Sequence, residues 1–163
     1  MLTEAQAWKV LDTVADPEIP VISVTELGIV RAIDAGVDGL RVVVTPTYSG
    51  CPATEVIARD IRDALLQAGV ARVDVEMRLS PAWTTDWIGE PAREKLRAYG
   101  IAPPGQCVPP GGALPLRFVP RNIPCPKCGS TDTARLSEFG STACKALYRC
   151  QSCLEPFDYF KPI

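Results

Sequence analysis

Seven cysteines and no histidine bound the chemistry open to this 163-residue chain. Four of the cysteines stand in two CxxC pairs, "CPKC" at Cys125 and Cys128 and "CQSC" at Cys150 and Cys153, with 21 residues between the pairs. Each pair can form a knuckle that aims two sulfurs at one ion, and two knuckles give the tetrahedral sulfur coordination that suits Zn²⁺. The separation lies just beyond the usual range of about 15–20 residues, which a β-hairpin between the knuckles absorbs. "TARLSEF" and "KALYRC" read as the strands of that hairpin, and Gly129, directly after Cys128, suits the positive backbone angle a knuckle requires. Such a zinc site is structural: it closes a small core and does no chemistry. Iron, alone or as a [2Fe–2S] cluster, is the rival occupant, and a disulfide or redox pair is the metal-free alternative. Cys144 is a nearby extra thiol that either packs as a small apolar residue or exchanges into a cluster. Nothing in the spacing assigns a role to Cys107.

A second kind of chemistry centres on Cys51, in "TYSGCPATE". Pro52 fits the first position of a helix, where its missing N–H costs nothing. Cys51 then falls at the cap, close to unpaired backbone N–H groups and the positive end of the helix dipole. That setting makes a thiol more nucleophilic and more metal-avid than average. The plain alternative is a buried cysteine chosen for its size, and spacing alone does not separate the two. "DPEIP" puts Asp16 and Glu18 on a rigid loop, and "TELGIV" adds Glu26. Carboxylates near the sulfur could help hold a metal, but loop acids also serve as caps and turn formers.

The elements that must position these groups follow from periodicity. Thr3 and Gln6 have capping-box spacing, and Ala7, Trp8, Leu11, Val14 and Ala15 form one face of a helix that Pro17 ends. "IVRAIDAG" and "LRVVVTP" flank Asp38-Gly39, a hairpin signal. Ile57, Ile61 and Leu65 recur every four residues until Gly69 stops the helix. "RVDVEMRL" alternates as a half-buried strand, and "TTDWIGEPAREKLRAYG" reads as a helix that begins late, with Pro91 in its first turn. The expected fold class is α+β: an αββαβα domain over residues 1–100, a Pro/Gly-rich linker over 101–120, and a β-rich zinc ribbon over 121–163. That last piece, 43 residues long, is too small to fold readily without a metal or disulfides.

Composition excludes several function classes. The residues are 47% hydrophobic and 22% charged, with a net charge of −2, ordinary for a globular chain. Residues 121–163 carry six Lys/Arg against four Asp/Glu, and a zinc tetrathiolate would cancel that surplus, leaving a poor phosphate binder. No nucleic-acid partner is expected. The first residues lack the basic start and apolar core of a secretory signal, and no stretch has the length of a membrane span, so a cytoplasmic location without membrane contact is expected. The lack of histidine removes Ser-His-Asp and Cys-His catalysis. No phosphate-binding glycine loop, paired-carboxylate di-iron helices or flavin fingerprint is present, so oxygenase chemistry cannot reside here alone.

"DPEIP", "ELGIV", "VTPTYSGCPA" and "SPAWTTDWI" together resemble the signature of the small iron–sulfur-cluster assembly domain family. The run "CPKCGSTDT" to "CLEPFDYFK" is similar to the C-terminal ribbon of one branch, the PaaD proteins that accompany the bacterial phenylacetyl-CoA epoxidases. The resemblance covers nearly the whole chain. It implies a non-catalytic accessory protein of the multicomponent monooxygenase that epoxidises the ring in aerobic phenylacetate breakdown, acting in assembly or repair of iron or iron–sulfur centres. Its implied partners are the oxygenase subunits or the flavin/[2Fe–2S] reductase. It implies that Cys51, with Asp16 and Glu18, is a transient iron or cluster site, shared across a homodimer or with a client's thiols, and that Cys125, Cys128, Cys150 and Cys153 are ribbon ligands for structural zinc. The alternative is a permanent docking subunit in which both cysteine sites serve stability.

Overall fold

The computed structural model describes residues 2–105 and 122–163. Two compact units divide at Ala92/Arg93. Most of the expected linker, and Cys107 with it, lies outside the described residues.

The first unit runs α1 (Glu4–Leu11), β1 (Val30–Ala35), β2 (Leu40–Val44), α2 (Ala53–Gln67), β3 (Val73–Met77) and a 3₁₀ turn at Thr85–Trp87, before α3 (Glu90–Tyr99), within which the division falls. The expected order of helices and strands is therefore present. Thr3 caps α1 through the anticipated box: its Oγ1 accepts from Gln6 N at 3.3 Å and its N–H donates to Gln6 Oε1 at 2.9 Å. The helix stops at Leu11, earlier than the periodicity indicates. Thr13 donates both its N–H and its hydroxyl to Val10 O, which tightens the last turn, and Ala15 pairs instead with Ser23 as an isolated bridge. Val14 stays buried from the loop rather than from a helix face.

β1 and β2 form an antiparallel hairpin, and β3 lies parallel to β2 on its other side. β2 is buried at Leu40, Val42, Val43 and Val44 and exposes only Arg41. α2 buries Ala53, Ile57, Ile61 and Leu65, the one face its four-residue spacing builds. Gly69, at φ +96°, follows the helix end as expected. The "ELGIV" and "SPAWTTDW" loops are packed together. Trp83 is buried and donates its indole N–H to Leu27 O at 3.0 Å, and a Cβ on Gly28 would come within 2.9 Å of Trp87 Cβ. Trp83 is thus core, and half-buried Trp87 carries the Arg31 guanidinium 3.6 Å above its ring.

The second unit is a four-stranded sheet in the order β4-β7-β6-β5, where β4 is Ile101–Ala102, β5 Thr133–Ser137, β6 Lys145–Cys150 and β7 Pro156–Phe160. β5, β6 and β7 are antiparallel neighbours, and the short β4 runs parallel to β7. Its core contains Ala102, Ile123, Ala146, Phe157 and Tyr159 together with two of the ribbon cysteines, Cys125 and Cys150. The aromatic tail is strand packing, since Tyr148 stacks on Phe157 and meets Tyr159 edge-on. The fold is mixed α+β, as the pattern of elements indicates.

Candidate functional site

The ribbon brings Cys125, Cys128, Cys150 and Cys153 to one point. Their sulfurs all lie within 4.8 Å of one another. Cys125 Sγ is 3.8 Å from Cys153 Sγ, and Cys128 Sγ is 3.5 Å from Cys150 Sγ. A tetrahedron with metal–sulfur bonds of about 2.3 Å has sulfurs about 3.8 Å apart. The donor set therefore fits a tetrathiolate ion, and the contacts are far too long for disulfides. The six described cysteines are all free thiols.

Local sequence explains the geometry. In the first knuckle Gly129 N donates to Cys125 O and Cys125 N to Ser130 O, both at 2.9 Å, and Gly129 sits at φ +74°. The second knuckle repeats the turn with Leu154 at φ +64°, a conformation that strains a side chain. Two contacts that the spacing does not announce tie the knuckles to each other. Ser130 Oγ meets Ser152 Oγ at 2.8 Å, and Lys127 Nζ meets Glu155 Oε2 at 2.8 Å. The Lys127–Glu155 pair raises the lysine and lowers the carboxyl from their ordinary values, chiefly through that hydrogen bond, yet it is solvent-exposed and adds little stability. The unequal knuckles give a test: Gly129→Ala is expected to destabilise the metal-loaded ribbon by about 1 kcal/mol, whereas Leu154→Gly changes it by no more than about 0.5 kcal/mol. Chemical denaturation of the two loaded variants reads the difference.

The four sulfurs have unequal proton affinities. The Cys153 N–H, donated to Cys150 Sγ at 3.4 Å, pulls Cys150 down to about 6. Cys153 receives the Glu155 N–H, but burial and hydrogen bonding with the neighbouring thiols push it up to about 12. Four thiolates this close cannot all be charged without a cation among them.

Cys144 is not part of this group. It lies in the turn just before the other end of β6, six residues ahead of Cys150, roughly 20 Å away along an extended strand. It is buried, its sulfur lies 3.0 Å from Thr142 Oγ1, and it packs rather than ligates.

Cys51 lies in the other unit and is 8% exposed. The helix cap is Pro52, so Cys51 stands one residue earlier than the expected cap. Pro52 is already helical at φ −64°, ψ −23°, and Thr54 N donates to Cys51 O at 3.1 Å, so the first turn still begins at Cys51. Pro52 offers no side-chain acceptor, which leaves the first-turn N–H groups without a cap from that residue. Gly50, at φ +83°, lets the chain turn into the helix. Asp16 is buried, and its Oδ1 accepts from Glu18 N at 2.9 Å and Ile19 N at 2.8 Å, which holds the "DPEIP" turn shut. Glu18 is half-buried. Glu26 and Ser23 cap each other: Glu26 Oε2 accepts from Ser23 N, and Ser23 Oγ accepts from Glu26 N. Among the described residues the four ribbon cysteines are the one group of three or more such donors within mutual reach of an ion, and Cys51, Asp16 and Glu18 do not form a second. Thr45, where β2 ends and the loop to Cys51 starts, is buried with its hydroxyl unpartnered, a feature that nothing in the sequence marks.

No helix of the described residues is long and apolar enough to cross a membrane. Residues 4–77 match the family model "Iron-sulfur cluster assembly protein", and residues 114–161 match "PaaD zinc beta ribbon domain". An Fe-S protein maturation auxiliary factor of Porphyromonas gingivalis is 38% identical over 58% of this chain and 90% of its own length. Two solved structures share the fold of the first unit. A DUF59 domain from Bacillus anthracis gives a TM-score of 0.54 at 25% identity, over 57% of this chain and 90% of that one. A conserved hypothetical protein from Thermotoga maritima gives 0.51 at 30% identity, over 58% and 94%. A protein of Escherichia coli K12, provisionally named as one of the subunits of a 1,2-phenylacetyl-CoA epoxidase, is 51% identical across 97% of this chain and 92% of its own length. On that likeness, and with a four-cysteine metal-binding ribbon following an iron–sulfur-assembly domain, the chain belongs to the PaaD family of phenylacetyl-CoA epoxidase subunits.

Proposed function

We propose that this chain is a non-catalytic accessory protein of a phenylacetyl-CoA epoxidase and that it matures or repairs the iron or iron–sulfur centre of an oxygenase or reductase subunit. The observation that carries this reading is the separation of thiol roles. The ribbon completes a tetrathiolate site with its own four cysteines, so Cys51, in the domain that matches iron–sulfur assembly proteins, is not needed for it.

In this reading Cys125, Cys128, Cys150 and Cys153 hold Zn²⁺, which supplies no chemistry and closes the small core. The chain then has three parts: an assembly domain over 1–100, a linker over 101–120 and a ribbon over 121–163. Iron or a cluster is cargo, held briefly through Cys51 while Asp16 and Glu18 shape the adjoining loop. One thiol is too few ligands for a stable cluster, so the cargo is shared with a second thiol source or passed on quickly. The transfer takes place in the cytoplasm.

The test is Cys51→Ala. The substitution removes one small buried group and should cost about 1 kcal/mol of stability. The folded variant is expected to leave the client protein short of iron and the epoxidase correspondingly inactive. Full iron loading by the variant would sink the maturation role. A permanent docking role would then stand, which the exposed Leu136, Phe139 and Leu154 of the ribbon favour.

A further inference from the structure

We propose that β3 is a self-association edge, through which two copies of this chain pair antiparallel about a dyad at Met77 and join their three-stranded sheets into one of six strands. In the described residues β3 bonds only to β2. Leu40 N donates to Arg72 O and Arg78 N to Val44 O, both at 2.9 Å. Even-numbered residues of this segment therefore turn their N–H and C=O towards β2, and Val73, Val75, Met77 and Leu79 turn theirs outward. The same odd residues share one face of the strand, the apolar one, and its far end is bare: Met77 is 41% exposed and Leu79 61% exposed. An apolar edge strand that ends unprotected is a template for another strand. The opposite edge, β1, is interrupted by a bulge and carries Arg31 and Asp34.

The register follows from two constraints, strand parity and charge pairing. A hydrogen-bonded antiparallel pair must join two outward-facing residues, which requires odd opposite odd. Centring on Met77 satisfies this, with Met77 opposite its own copy and Val75 opposite Leu79. The apolar side chains then lie together on one face. On the other face Glu76 meets Arg78 of the second copy, and Arg78 meets its Glu76, so opposite charges face each other twice. The neighbouring register centred on Val75 sets Asp74 against Glu76 and Arg72 against Arg78, like against like. Centring on Glu76 keeps odd opposite odd but sets Glu76 against itself, like charges at the dyad. Met77 is level with Val44, where β2 ends and the loop to Cys51 begins. The two Val44 residues would stand three strand spacings apart, roughly 14 Å.

Sedimentation velocity on the full metal-loaded chain, from micromolar to millimolar concentration, tests this. Wild type is expected to dimerise. Met77→Lys places two like charges on the dyad and should weaken association by at least about tenfold, without a change in melting temperature. Glu76→Lys and Arg78→Glu should each weaken it alone. Mixing these two variants in equal amounts should restore a dimer, because the charge introduced at position 76 then faces the opposite charge introduced at position 78. A wild type that stays monomeric overturns the proposal, as does a dimer of undiminished strength in all three variants, or a mixture that remains monomeric. Exchange protection of the Val75 and Met77 amides that arises only when another protein is added would assign the edge to a foreign strand and overturn it too.

Discussion

Stripping the metal from the loaded protein is expected to unfold the second unit and leave the β1-β2-β3 sheet standing. The ribbon has 42 described residues from 122 onwards, and its core includes two of the metal ligands themselves, Cys125 and Cys150. Without an ion that core loses its centre, and the four clustered sulfurs repel one another as they ionise. Structural zinc in small domains contributes an apparent ~10–16 kcal/mol at neutral pH, more than a ribbon of this size has from apolar burial. Cys150→Ser, which leaves three thiols, should have nearly the same effect as chelation. Hydrogen exchange separates the two units: protection of Ala146, Leu147 and Phe157 should vanish, while that of Val42–Val44 persists. Retention of protection in β6 and β7 after complete metal loss would refute the role assigned to the ion.

The same site fixes the pH dependence. Metal uptake must expel the protons the thiols hold, so affinity rises with pH, and Cys153, which holds its own up to about 12, is among those that release one on uptake near neutrality. In the small population of metal-free ribbon that is folded at any moment, the two perturbed thiols act with opposite signs. Cys150 is depressed to about 6, so its thiolate stabilises the fold above the ordinary thiol range and that contribution disappears as pH falls through about 6. Cys153 is raised, so its protonated form contributes below the ordinary range and loses its effect as pH rises through about 12. Metal release followed with a chromophoric indicator should therefore accelerate as pH falls towards 6, and acceleration on the alkaline side instead would contradict the assignment.

The second large effect is expected at Gly39. A Cβ there would stand 2.2 Å from Arg72 O and 2.9 Å from Arg72 C and Cβ. Backbone must move, and the Leu40 N to Arg72 O bond that starts the parallel β2-β3 ladder goes with it. Gly39→Ala should destabilise the first unit by about 2–4 kcal/mol, or roughly 10–20 °C in Tm. Gly36, in the same turn, is the control, because a Cβ there meets its nearest atom, Gly39 O, at an ordinary 3.5 Å. Gly36→Ala should stay within about 0.5 kcal/mol. Equal losses at the two glycines would mean that turn conformation, and not the close approach of β3, sets the requirement.

Gly39 also shows where sequence reading stops. Asp38-Gly39 signals a hairpin, and a hairpin is there, but neither residue has the positive φ that usually gives the signal its force. The glycine is required by a carbonyl 33 residues away, which no local pattern records. Helix α1 gives a similar lesson: its capping box was legible from two residues, but its end was set by Thr13 bonding back to Val10 and by the Ala15–Ser23 bridge. Cys144 was equally open from sequence, six residues from Cys150 with nothing to say whether the strand between them kept the two thiols apart.

The sequence by itself determined the element order, the buried face of α2 and the four sulfurs of the ribbon, because each depends on periodicity or spacing within a short stretch of chain. It also placed Gly129 at its positive backbone angle. Only the tertiary structure decided that Cys144 stays out of the ribbon group, that Asp16 and Glu26 spend oxygens on their own loops, that Leu154 takes the strained place in the second knuckle, and that β3, among the described residues, pairs on one side only and leaves Met77 exposed. Those depend on which backbone groups from distant segments come to face one another, and that is settled by packing, which no window of the sequence contains.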